Sequence, residues 1–124
     1  MVYTSYFGNL KTLKSAGIVP VSISLWKPKW YIGLQYLNLA PKADMLKRDL
    51  SKEQYTEEYK LRVLHNLNAR NVYNDLMSFG SRVALLCYEK PNDFCHRHIV
   101  SEWFRENGYN VEEYRVEMLE PLLF

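Results

Sequence analysis

Nothing in the 124-residue sequence approaches the roughly 18 consecutive apolar residues of a membrane span, so no transmembrane helix is expected. The opening Met1-Val2-Tyr3-Thr4 lacks the basic start and apolar block of a secretory signal. Cysteine is scarce, with two in the chain, which argues against a disulfide scaffold and for a reducing compartment with free thiols. A cytoplasmic location is the expectation. Excess charge is also lacking: a net +2 is too mild to imply nucleic-acid binding by itself. There is no Gly-rich phosphate loop, Gly-x-Ser-x-Gly elbow, His-Glu-x-x-His pattern or Cys-x-x-Cys pair, and no repeat or low-complexity segment.

What the chain has is apolar and aromatic material. It is 48% hydrophobic and 15% aromatic, enough to build one domain's core over residues 1–124 without disulfides or a structural metal. Val2 to Phe7 reads as a strand, and Asn9 caps a short helix with Leu10 and Leu13 that closes at Gly17. Ile18 to Leu25 reads as a second strand in which Pro20 fits only near the start or at a bulge. A short third strand is expected over Gln35 to Leu39. Ser51 and Gln54 form a capping box for a helix carrying Tyr55, Tyr59, Val63 and Leu67. Val72, Tyr73, Leu76 and Met77 share one face of the next helix, which ends at Phe79-Gly80.

Val83 to Tyr88 is a near-continuous apolar run, the pattern of a strand buried on both faces. A helix from about Cys95 to Asn107 closes at Gly108, and Tyr109 to Tyr114 reads as a weaker edge strand. At Gly17, Gly80 and Gly108 a helix closes and a strand follows within a few residues. That alternation predicts a compact, Rossmann-like three-layer α/β domain with a mainly parallel sheet of about four to five strands. In such sheets ligands bind beyond the carboxyl ends of the strands. The loops from Glu89 to Cys95 and from Trp26 to Tyr31 are two such ends.

The first of these loops leads into Cys95-His96-Arg97-His98. Helical periodicity puts Ile99, Val100, Trp103 and Phe104 on the face that meets the sheet, with His96 on the same side, Arg97 at its edge and His98 towards solvent. Cys95 falls at or near the N-cap, where backbone N–H groups and the Arg97 cation favour a thiolate. The functional reading is a reactive thiolate, with His96 as acid or base and Arg97 holding an oxyanion. The structural reading makes Cys95 a cap, His96 a loop anchor and Arg97 half of an ion pair. Glu89 is the nearest carboxylate, able to orient His96 or Arg97, act at a sugar, or pair with Arg97. Strand alternation places Cys87 in the core. Neighbouring helical positions do not converge easily, so Cys87, Cys95, His96 and His98 are expected to hold no metal, and no cofactor is expected. In the second loop, Trp26, Lys27 and Trp30 suit a ring-shaped or phosphorylated ligand, or else form a lid with solvated lysines.

Leu85-Leu86-Cys87-Tyr88-Glu89, a spacer, and Cys95-His96-Arg97 together resemble the signature of the domain of unknown function 488 family: a buried strand ending in Cys-x-Glu, then Cys-His-Arg opening a helix. The resemblance extends over most of the chain, from the Tyr-Thr strand through the helical middle. It implies a compact α/β, Rossmann-like domain, and carries over Cys87, Glu89, Cys95, His96 and Arg97 by position. It leans towards nucleotide or nucleic-acid chemistry without naming a reaction. Many members of that family have Asp-x-Arg at the end of the second strand. Here the stretch is Ser22-Ile23-Ser24-Leu25-Trp26, which implies a divergent branch in which Ser22, Ser24 or Lys27 takes over a role, or catalysis is lost.

These residues lead to two main expectations. One is an anion-accepting Cys-His-Arg pocket for a nucleotide, another phosphate-bearing ligand or a nucleic-acid component. The other is a non-catalytic module that binds nucleic acid or protein through the Trp26 to Tyr31 loop and the apolar tail from Met118 to Phe124. That tail also offers a homodimer contact. A third reading is a redox sensor at Cys95.

Overall fold

A computed structural model of the chain describes residues 1–88 and 95–115. The loop carrying Glu89 and the tail from Met118 lie outside the described residues. The strands are β1 (Val2–Tyr6), β2 (Val19–Ser22), β3 (Leu34–Gln35), β4 (Val83–Cys87) and β5 (Glu112–Glu113). They form one sheet in the order β3-β2-β4-β1-β5, and every pairing is parallel. The helices are α1 (Leu10–Ser15), α2 (Ala43–Lys47), α3 (Lys52–Arg62), α4 (Ala69–Met77) and α5 (His96–Glu106). Among the described residues no helix is long and apolar enough to cross a membrane.

The parallel α/β sheet expected from the sequence is therefore present. In dinucleotide-binding sheets the first strand lies between the second and the fourth, whereas here β4 lies between β2 and β1. β4 is central and all five of its residues are buried, as its unbroken Val-Ala-Leu-Leu-Cys run requires. Alternate side chains of the sheet feed two cores. Val2, Val21, Val83 and Leu85 meet Tyr59, Val72, Leu76, Val100 and Phe104 on one face. Tyr3, Ala84 and Leu86 meet Leu13, Ile18, Phe7 and Tyr31 on the other.

Pro20 sits inside β2 at no cost in hydrogen bonds. Val19 and Ile23 donate towards Arg82 and Leu86 beside β4, so alternation turns the Pro20 nitrogen to the other side. On that side β3 pairs only with Val21 and Ser22, so the missing N–H has no strand to reach.

Other elements are trimmed or replaced. The third strand is Leu34–Gln35, and Leu37–Leu39, expected as strand, is a 3-10 turn. The helix from Ser51 ends at Arg62, before a 3-10 turn over Leu64–Asn66 that buries Leu64. The short helix α2 carries little sequence signal beyond its buried Met45. Its Asp44 accepts from both terminal guanidinium nitrogens of Arg62, at 2.7 and 2.8 Å, which ties α2 to α3.

The Ser51 capping box forms in full: the Gln54 N–H donates to Ser51 Oγ at 3.1 Å, and the Ser51 N–H to Gln54 Oε1 at 2.9 Å. Ser51→Ala should lower the unfolding free energy by about 1 kcal/mol in urea titration.

Candidate thiol-imidazole site

Beyond β2 the chain turns outward to β3, whereas beyond β4 it turns the other way, through α5, to β5. β2 and β4 are neighbours, so their carboxyl ends border the gap where a parallel sheet accepts ligands. A cleft of about 450 Å³ opens there. Its floor is Cys87, Cys95 and His96. Ser24, Leu25 and Trp26 form the β2 side, and Leu46, Leu50, Lys52 and Tyr55 form the wall from α2 to α3. Tyr88 also lines it, its hydroxyl donating to the Trp26 carbonyl at 2.6 Å and holding the two rims together. The volume is within the roughly 300–1,000 Å³ of small-molecule sites.

His96 lies at the first turn of α5 and faces inward, as helical periodicity predicts. Its Nε2 is 2.8 Å from the Ile23 carbonyl oxygen, which must accept, so Nε2 carries the proton and Nδ1 keeps its lone pair. The Tyr59 ring packs against the imidazole at 5.5 Å between centroids. Burial, with smaller contributions from Arg97 and His98, lowers the His96 pKa to about 4, and the ring is neutral near pH 7.

Cys95 is the N-cap residue, with extended backbone (φ −153°, ψ 149°), and its side chain makes no capping bond. Because that backbone is not helical, its Sγ can approach His96 Nδ1, to 3.8 Å. Cys87 closes β4 from the other side. The sequence favoured two separate free thiols. The fold instead brings both sulfurs into disulfide contact, because strand end and helix start flank the same loop.

Arg97 is not at the edge of the helix face but fully buried. Nε and one terminal nitrogen clasp the Glu113 carboxylate of β5 at 3.0 and 3.2 Å, and the other terminal nitrogen donates to Cys87 Sγ at 3.1 Å. Thr4 of β1 adds a hydrogen bond to Glu113 at 2.7 Å. The guanidinium is absent from the cleft lining and reaches the site through Cys87. Glu113 went unnoticed in the sequence. The only signal was a pair of glutamates in a weak edge strand, of which one had to face inward.

The remaining candidates divide. Trp26 lines the cleft, while Lys27 turns its Nζ to the Tyr31 carbonyl at 2.8 Å. Trp30 lies against Phe7 on the opposite face, 61% exposed. Tyr31 of the same loop is buried, its hydroxyl donating to the Leu34 carbonyl at 2.8 Å. Where the resembled family has Asp-x-Arg, Ser24 lines the cleft and Ser22 Oγ accepts from the Ser24 N–H at 3.3 Å. His98, expected at the surface, is half-buried.

Fold and site together define a small parallel α/β protein with a cluster of two cysteine sulfurs and one imidazole at the sheet's carboxyl end. The chain belongs to the DUF488 family: the family model described as the active DUF488-N3 subclade matches residues 19–108. No curated protein and no solved structure matches it. The matched stretch runs from β2 to the Gly108 turn, and so includes both rims of the cleft and all three residues of its floor.

Proposed function

We propose that the cleft binds a nucleotide or a nucleic-acid component and presents it to the sulfur and imidazole groups of Cys95 and His96. The observation that carries this reading is the make-up of the lining. Trp26, Tyr55 and Tyr88 offer aromatic surface to a base, and Lys52 offers a cation to a phosphate. Helix α5 begins at the same cleft, with Cys95 and His96 in its lining, and the positive end of a helix dipole favours an anion nearby.

Nucleoside monophosphates titrated calorimetrically into the reduced protein test the reading. Trp26→Ala should remove about 1–3 kcal/mol of stacking, weakening binding roughly 5- to 150-fold. Lys52→Met should weaken the monophosphate more than the free nucleoside. Equal affinity of wild type and both variants would contradict the reading.

A second reading rests on Trp30 and Ile32, which are 61% and 88% exposed on the loop beyond Trp26. Such a surface suits a protein or nucleic-acid partner without catalysis. It predicts that Trp30→Ala, rather than Lys52→Met, abolishes binding.

A further inference from the structure

The cleft floor has the composition of a metal centre. We propose that, in the reduced protein, Cys87 Sγ, Cys95 Sγ and His96 Nδ1 bind a zinc-type divalent cation, with its fourth coordination position open to the cleft. The three donor atoms lie within 4.8 Å of one another, and all three residues are buried. Tetrahedral zinc, with Zn–S near 2.3 Å and Zn–N near 2.1 Å, needs its donors about 3.5–3.8 Å apart. His96 Nδ1 already lies 3.8 Å from Cys95 Sγ, and reduction must free the two sulfurs from disulfide contact before they separate to that distance.

The expectation of no metal rested on neighbouring helical positions diverging. That objection does not apply here, because Cys95 is extended at the N-cap and the third donor comes from a strand. The backbone spacing points the same way. The Cys87 and Cys95 Cα atoms are 7.1 Å apart, beyond the roughly 4.4–6.8 Å usual for a disulfide. A cation between the sulfurs takes up that span.

The surroundings of the donors are those a bound metal requires. A ligating histidine needs its second ring N–H held by an acceptor, and His96 Nε2 is held by the Ile23 carbonyl. A ligating thiolate is steadied by a hydrogen-bond donor, and Cys87 Sγ receives one from Arg97. The charges close as well. Two thiolates neutralise the dication, and Arg97 is balanced by Glu113. Two sulfurs and one imidazole select a soft or borderline cation over magnesium or calcium. Three protein ligands with an open position is the arrangement of catalytic rather than structural zinc. The open position would take water or an anionic oxygen of the ligand. That use rests on the proposed nucleotide cleft, whereas metal binding itself does not.

The test is cobalt titration of reduced, chelator-stripped protein, followed by zinc, with native mass spectrometry in parallel. The expected result is one metal per chain and a thiolate-to-cobalt charge-transfer band that zinc bleaches. The band persists in Trp26→Ala and is lost in Cys87→Ser and His96→Gln, whose folding circular dichroism monitors. The wild-type titration stands by itself if those variants fail to fold. Absence of the band in reduced wild type overturns the proposal, as does its survival in folded Cys87→Ser. So does a chain that stays at its oxidised mass in reductant and takes up no metal. Nucleotide binding without metal removes only this inference. Metal without nucleotide binding removes only the cleft reading.

Discussion

Glu113→Ala should cost about 3–5 kcal/mol of unfolding free energy, the largest loss expected from one side chain. The substitution leaves the Arg97 guanidinium fully buried without its carboxylate, and also strands the Thr4 hydroxyl. Removing one partner of such a pair is more damaging than replacing both, because a buried charge then loses its bidentate carboxylate while the cost of burying it remains. Arg97→Met combined with Glu113→Leu should therefore be more stable than Glu113→Ala alone. For a domain of this size the single variant's midpoint should fall by roughly 10–20 °C. Thermal denaturation of the single and double variants checks it. A loss under about 1 kcal/mol would mean that Glu113 is no more than a surface partner.

Acid should destabilise the metal-free protein through His96. In the unfolded chain a histidine takes up its proton near pH 6.5, whereas folded His96, desolvated among Tyr59, Cys87, Cys95, Arg97 and His98, does so only at about 4. Between those values the unfolded state binds more protons, so stability rises with pH across that window and falls as pH drops. The separation corresponds to about 3 kcal/mol lost by pH 4 and largely retained above pH 7. His96→Gln keeps a donor for the Ile23 carbonyl and cannot titrate, so its urea-unfolding free energy should be flatter over this window. His65 and His98 remain in both proteins, and the difference isolates His96. Parallel pH profiles would contradict the buried neutral imidazole.

Much of the fold was legible because its signals are local. The buried run at Val83 to Cys87, the capping box at Ser51 and the glycine turns at Gly17 and Gly108 each follow from a few neighbouring residues. Both glycines have positive φ, at 75° and 89°, which a side chain would resist. His96 was placed inward by helical periodicity alone. Relations across the sheet were not legible. Glu113 is 16 residues from Arg97, and only the parallel pairing of β5 with β1 brings them together. The approach of Cys87 to Cys95 was hidden for a related reason. Periodicity treats Cys95 as helical, and its extended backbone turns the thiol towards the strand end instead. The aromatic loop looked like one surface in sequence, yet Trp26 and Trp30 fall on opposite sides of the sheet because Tyr31 anchors the segment between Pro20 and Leu34.

The most direct test of the functional account is an amide NMR titration of reduced protein with a nucleoside monophosphate. The account predicts saturable shifts clustered on Ser24, Leu25, Trp26, Lys52, Tyr55, Cys95 and His96, which surround the cleft. Saturable shifts confined to Trp30, Tyr31 and Ile32, or no shifts at all, would contradict it.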